Sequence, residues 1–341
     1  MKSFLLPFGL AVFAAATVLA QSAPRALPPA PKNWVQPKTS WGDPDIEGTW
    51  TSDDCIGTPM NRPANFGDRA FLTEQEISDR MKRLEQQHQG DLKETVDANQ
   101  RVGTGPPGNW GERARRPCTQ TSLVVEPANG RTPALLPEAA TRPVPEGAGN
   151  NNPKADSWED FSWYIRCISR GVTGSILPVI YGNGQQIIQG EGVITILEEM
   201  VHEARMIHLD GHHPSPEVRS YMGDSRGHWE GNTLVVETTN FLGGRTGIGL
   251  NGGGTPTTEA LKLVERFTRI GPDQMKYEVT VDDPKTYVAP FRIAFPLTQE
   301  PGYQNFEYAC HEGNYAMFDS LSGARAKEKA AAKAAQAAKS N

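Results

Sequence analysis

Three histidines and an aspartate crowd the stretch MIHLDGHHP, Met206 to Pro214. His208, Asp210 and His212 are residue types that a catalytic zinc ion with an open coordination position takes as ligands. Read as a strand, alternation sets Ala204, Met206 and His208 on one side and Arg205, Ile207 and Leu209 on the other. Asp210-Gly211 then reads as a turn. It breaks the alternation, so nothing in the sequence aims His212 or His213 at His208. The expectation is a strand running into a loop, with no metal assigned. His208 stays a candidate general base, and Arg205 a candidate clamp for a carboxylate or phenolate on a ligand.

A second constellation lies in YACHEGNYAM. His311 beside Glu312 suits a general base whose tautomer a carboxylate sets. Neighbours on a strand face opposite ways, so this pair works only if the strand has already ended. Tyr308 can orient a ligand through its hydroxyl while its ring packs. The resulting hypothesis puts a pocket near the ends of the strands carrying His208 and His311. His208, His311 and Glu312 are its catalytic candidates; Arg205, Tyr308, Trp229 and Glu230 are its ligand-binding candidates. Glu237, Glu265, Glu278 and Glu307 either face solvent or line a lumen with Arg205 or Arg266 as partners. The aromatic cluster in SWEDFSWYIRC suits a core or a ligand cavity. The chain has no GxSxG elbow, P-loop, HExxH or CxxCH, so no nucleotide or covalently held cofactor is expected.

The elements that position these residues are mostly strands. FLTEQEISDRMKRLEQQ reads as a helix opened by a Thr73/Glu76 capping box. QQIIQGEGVITILEEMVHEARMIHLDG holds two or three strands. GHWEGNTLVVETTNF is a hairpin about Gly231-Asn232, which sets Glu230 opposite Thr233, Trp229 opposite Leu234 and His228 opposite Val235. LKLVERFTRIGPDQMKYEVTVDDP is a second hairpin, and DIEGTW, FRIAFPL and NFEYACHE supply further strands. About nine or ten strands, mostly joined in sequence, predict an antiparallel meander that closes into a barrel.

The 341-residue chain carries a net charge of −6, which argues against a nucleic-acid partner. Residues 1–20 read as a signal peptide, too short for a membrane span, and 21–40 as a disordered Pro/Ala-rich leader. Residues 41–325 are expected to form one barrel domain with a helical and loop insertion around 71–160. Residues 326–341 are an Ala/Lys-rich tail. Four cysteines in an exported chain suggest two disulfides; of three pairings, Cys55–Cys118 with Cys167–Cys310 is preferred.

RCISRGV, RMIHLDGHHP, GHWEGNTLVVETTNF, ERFTRIGPDQMKYEVTVDDPKTY and YACHEGNYAM together resemble an exported bacterial family of unassigned function, found in acidobacteria and proteobacteria. The resemblance spans roughly Trp41 to Arg325 and implies a lipocalin-like or calycin-like β-barrel, without assigned catalytic residues. The expected function is a periplasmic or secreted barrel that holds a small, partly apolar or aromatic ligand in its lumen. The alternative is a cofactor-independent lyase, isomerase or hydrolase with a histidine base in the same pocket.

Overall fold

The computed structural model describes residues 33–91, 111–144, 155–244, 246–299 and 302–339. The signal peptide, most of the leader and the 145–154 stretch lie outside these residues. Ten strands are present: β1 (Gly48–Thr51), β2 (Val124–Glu126), β3 (Gln185–Gly190), β4 (Val193–Glu198), β5 (Ala204–His208), β6 (Asp224–Glu230), β7 (Thr233–Thr239), β8 (Lys262–Gly271), β9 (Gln274–Asp282) and β10 (Phe291–Gln299). Among the described residues four α-helices accompany them: α1 (Glu74–Asp91), α2 (Pro137–Ala140), α3 (Gly171–Ile176) and α4 (Ala316–Lys339).

Strands β1 and β3 to β10 close into a nine-strand barrel when β1 pairs with β10, and β2 adds to the other part of the β10 edge. The expected hairpin register holds throughout: Glu230 pairs with Thr233, Trp229 with Leu234 and His228 with Val235. The Thr73/Glu76 capping box opens α1, each residue bonding the other's backbone N–H. One pair departs from the meander, since β5 and β6 run parallel. The Asp210-Gly211 turn and the prolines that follow carry residues 209–223 back along the barrel before β6 begins, as a parallel pair requires. NFEYACHE is not a strand: residues 303–309 are irregular and 310–313 form a turn.

Alternation decides the inner face. Ile187, Ile194, Ile196, Ile207, Leu234, Val236, Phe267, Tyr277, Ile293 and Leu297 are all buried in one core cluster with Trp50. The interior is thus largely filled by side chains. The barrel has two distinct ends. The hairpin end carries the tight turns β3–β4, β6–β7 and β8–β9. At the other end, all six residues of α3 are buried, and Val172 and Ile176 join the barrel core. A Cβ on Gly174 would stand 2.3 Å from the Gly252 nitrogen, so only glycine lets α3 seat against the 250–252 turn. α4 has no buried residue, and its Arg325 donates to the Ala155 and Asp156 carbonyls.

Candidate functional site

The polar groups inside the barrel gather toward the α3 end. On β5, Arg205 points inward, as alternation predicts, and is buried. Its guanidinium donates to both carboxylate oxygens of Glu265 on β8, at 3.2 and 2.6 Å. The Tyr277 hydroxyl donates to the same carboxylate at 3.1 Å. This answers the choice left open for Glu265: it lines the lumen, and Arg205 is its partner. It also removes Arg205 as a free ligand clamp, because its fork is already engaged.

Next to this pair stands Glu198, the last residue of β4, 3 % exposed. Its Oε2 has no hydrogen-bond partner. Burial pushes its carboxyl up to about 8, against the pull of Arg205 and Arg170. Arg170 precedes α3 and is 1 % exposed. Its Nη1 donates to the Gly182 carbonyl at 3.4 Å, whereas Nε and Nη2 find no acceptor among the described residues. Desolvation lowers the Arg170 pKa, and Tyr164, Glu198, Tyr308 and Tyr181 oppose that in this order. All three tyrosines are partly exposed, and burial raises each phenol, Tyr181 to about 12. They stay neutral at physiological pH and cover a buried cation.

Tyr164 and Tyr308 also form part of the wall of a cleft of about 440 Å³, with Ile165, Ala309, Cys310 and Glu312. The loop that carries Tyr308 is held in three ways. Cys310 is bonded to Cys167, with Cα atoms 5.6 Å apart. The Tyr308 carbonyl lies 2.9 Å from His202 Nδ1, and Glu199 accepts bonds from the Tyr303 hydroxyl and the Phe306 N–H. A second disulfide, Cys55–Cys118, has Cα atoms 4.9 Å apart and ties the segment before α1 to the one before β2.

A carboxyl cluster adjoins the site through Gly182. The Gly182 N–H donates to Glu112, and the Asn183 amide reaches both Glu112 and Asp53 at 2.8 Å. Burial, then the neighbouring Asp53, pushes the Glu112 carboxyl up to about 9.

The remaining candidates scatter. His208 faces outward with exposed Met206, at the β5 end nearer the hairpin turns. Tyr308 and His311 belong to the opposite end, beyond at least four steps of strand, about 13 Å. No single small ligand touches both histidines, because strand parity turns His208 out while the disulfide anchors His311 at the other end. His311 Nε2 lies 3.3 Å from the Cys167 carbonyl. Glu312 is exposed on the cleft wall. Trp229 points inward on the side of the hairpin turns and packs against the core. Glu230 points outward, where it pairs with Arg266 and His228. His213 bonds Asp224 at 2.7 Å, and His212 folds back on the Asp210 carbonyl. Among the described residues no group of three or more His, Cys, Asp or Glu side chains is placed to hold a metal.

An outer groove of about 410 Å³ lies between Phe71, Val124, Ala294 and Pro296. Its polar residues are satisfied: Arg62 by Thr121 and Ala128, Gln120 by Ser122 and Ala294. Unlike the α3 end, it presents no buried polar group in need of a partner.

No family model, curated protein or solved structure matches the chain. The resemblance to the exported family therefore gains no support from relatives, and the barrel stands on its own geometry. Arg170, Glu198 and Tyr181 were not among the sequence candidates. A signal for Glu198 existed: it follows Ile194 and Ile196 at the inward positions of VITILE. Arg170 had none, since it precedes a short buried helix rather than lying on a periodic element.

Proposed function

We propose that this is an exported binding protein for a small, partly aromatic ligand, held at the α3 end of the barrel rather than deep in its lumen. The carrying observation is the group of three partly exposed tyrosines, Tyr164, Tyr181 and Tyr308, set over buried charge beside a cleft of about 440 Å³. Tyrosines offer ring faces for stacking and hydroxyls for orientation, and the cleft volume falls within the range of about 300–1,000 Å³ usual for small-ligand sites. Two disulfides support an oxidising compartment, periplasmic or extracellular. None of the helices among the described residues is long and apolar enough to cross a membrane, and the acidic charge gives no reason for a nucleic-acid partner.

A second reading keeps the scaffold and adds catalysis. It draws on Glu198, whose carboxyl titrates at about 8 and suits acid–base work near neutral pH. That group replaces the histidine base of the original expectation.

A ligand-observed NMR screen of small aromatic compounds, repeated on Tyr164→Ala and Tyr308→Ala, tests the binding reading. Binders lost in both variants, which still fold, are expected; binders untouched by either place the site elsewhere. A bound compound that is consumed on incubation selects the catalytic reading.

A further inference from the structure

We propose that the ligand is a small aromatic carboxylate, its anionic group gripped by the side-on edge of the Arg170 guanidinium, with Glu198 competing for the same charge. This rests on the binding site proposed above and names the chemistry that fills it.

The argument starts from the pattern of unmet hydrogen bonds. Arg170 is 1 % exposed, yet Nε and Nη2 have no acceptor. These two nitrogens make up one edge of the guanidinium, the edge a carboxylate meets with two parallel N–H···O bonds. A buried polar group without a partner is costly, and a buried cation more so. The protein offers little compensation. The buried carboxylate of Glu265 is occupied by Arg205 and Tyr277. The tyrosines around Arg170 are neutral. Glu198 is close enough to interact with the guanidinium, but no hydrogen bond joins the two.

Glu198 itself faces Arg205 on β5, Arg170 before α3, Glu265 on β8 and Glu203 in the β4–β5 connection. Burial outweighs both arginines and holds its carboxyl at about 8, so at pH 7 it is mostly neutral. The Arg170 charge then calls for an anion from outside the fold. Above pH 8 Glu198 ionises, supplies that charge from within and repels an incoming carboxylate.

The other features narrow the class. One guanidinium edge fits a planar monoanion; a phosphate dianion would call for further cations, and Arg205 is already paired. Tyr164 and Tyr308 line the cleft and face Arg170, so the apolar part of the ligand lies against their rings. Both are partly exposed, whereas Arg170 does not itself line the cleft, so the ligand reaches its edge only if a tyrosine moves aside.

The test is isothermal titration of the full-length protein with benzoate and cinnamate, and with benzamide and cinnamamide as isosteres that do not titrate between pH 6 and 9.5. The acids are expected to bind at least about 30-fold tighter than the amides at pH 7, the smaller end of what a buried charged hydrogen bond contributes. Arg170→Gln should erase that discrimination. If it fails to fold, Arg170→Lys, which keeps the charge and loses the two-bond edge, should reduce it. Affinity for the acids should fall as pH rises above 8, by at most about tenfold per pH unit for one proton. Glu198→Gln should flatten the fall in affinity above pH 8. Amides that bind as tightly as acids, or discrimination undiminished in the Arg170 variants, overturn the anion assignment and leave the aromatic site standing. If neither acids nor amides bind, the site reading fails and this inference with it.

Discussion

Arg205 and Glu265 show how a single pair governs the interior. Both are buried, bonded through two N–H···O contacts and backed by Tyr277. Arg205→Met leaves the Glu265 charge without its partner, and urea denaturation should show a loss of about 3–5 kcal/mol. The double variant Arg205→Met/Glu265→Leu should lose less, because no charge is then stranded. His208→Ala should change stability by no more than about 0.5 kcal/mol, as expected for an outward side chain that anchors nothing. Glu112 and Glu198 set the pH response. Both carboxyls are raised, to about 9 and about 8, from an ordinary 4.5. Between those values the folded protein holds protons that the unfolded chain has released, so stability falls as pH rises from about 4.5 to about 9. Melting temperature measured across that range should decline, and Glu112→Gln and Glu198→Gln should each reduce the slope.

The elements that carry the site differ in how legible they were. Both hairpins followed from alternation and turn chemistry, β6–β7 with the expected register, and parity placed Arg205 on the same face as Ile207 and Trp229 on the same face as Leu234. NFEYACHE also alternates, yet it folds as a loop, because the disulfide to Cys167 and the bonds to Glu199 and His202 fix it in place of a strand neighbour. Arg170 was illegible for the same reason: long-range packing of α3 buries it, with no local period to mark it. Two changes test these elements. Replacing Cys167 and Cys310 together with Ser should cost about 2–5 kcal/mol and raise hydrogen exchange at Tyr303 to Tyr308, leaving β6–β9 protected. Gly174→Ala forces a Cβ against the Gly252 backbone and should lower stability by about 1–3 kcal/mol, visible in thermal unfolding.

At the scale of the whole molecule, one closed sheet separates two tasks. The core cluster spans the barrel and supplies rigidity, whereas the α3 end holds unpartnered atoms of two buried ionisable side chains, Arg170 and Glu198. A barrel of about nine or ten strands, and which side chains share a face, were readable from the sequence; which face turns inward and the direction of β6 were not, since the first depends on how the sheet closes and the second on where the 209–223 excursion returns the chain. The most direct test of the central claim is a titration of the protein, fluorine-labelled at tyrosine, with aromatic ligands from the screen, read by NMR with each resonance assigned by single Tyr→Phe variants. The account predicts saturable shifts of Tyr164, Tyr181 and Tyr308 and little change at Tyr277 or Tyr287. Saturable binding that leaves those three rings unmoved would contradict it.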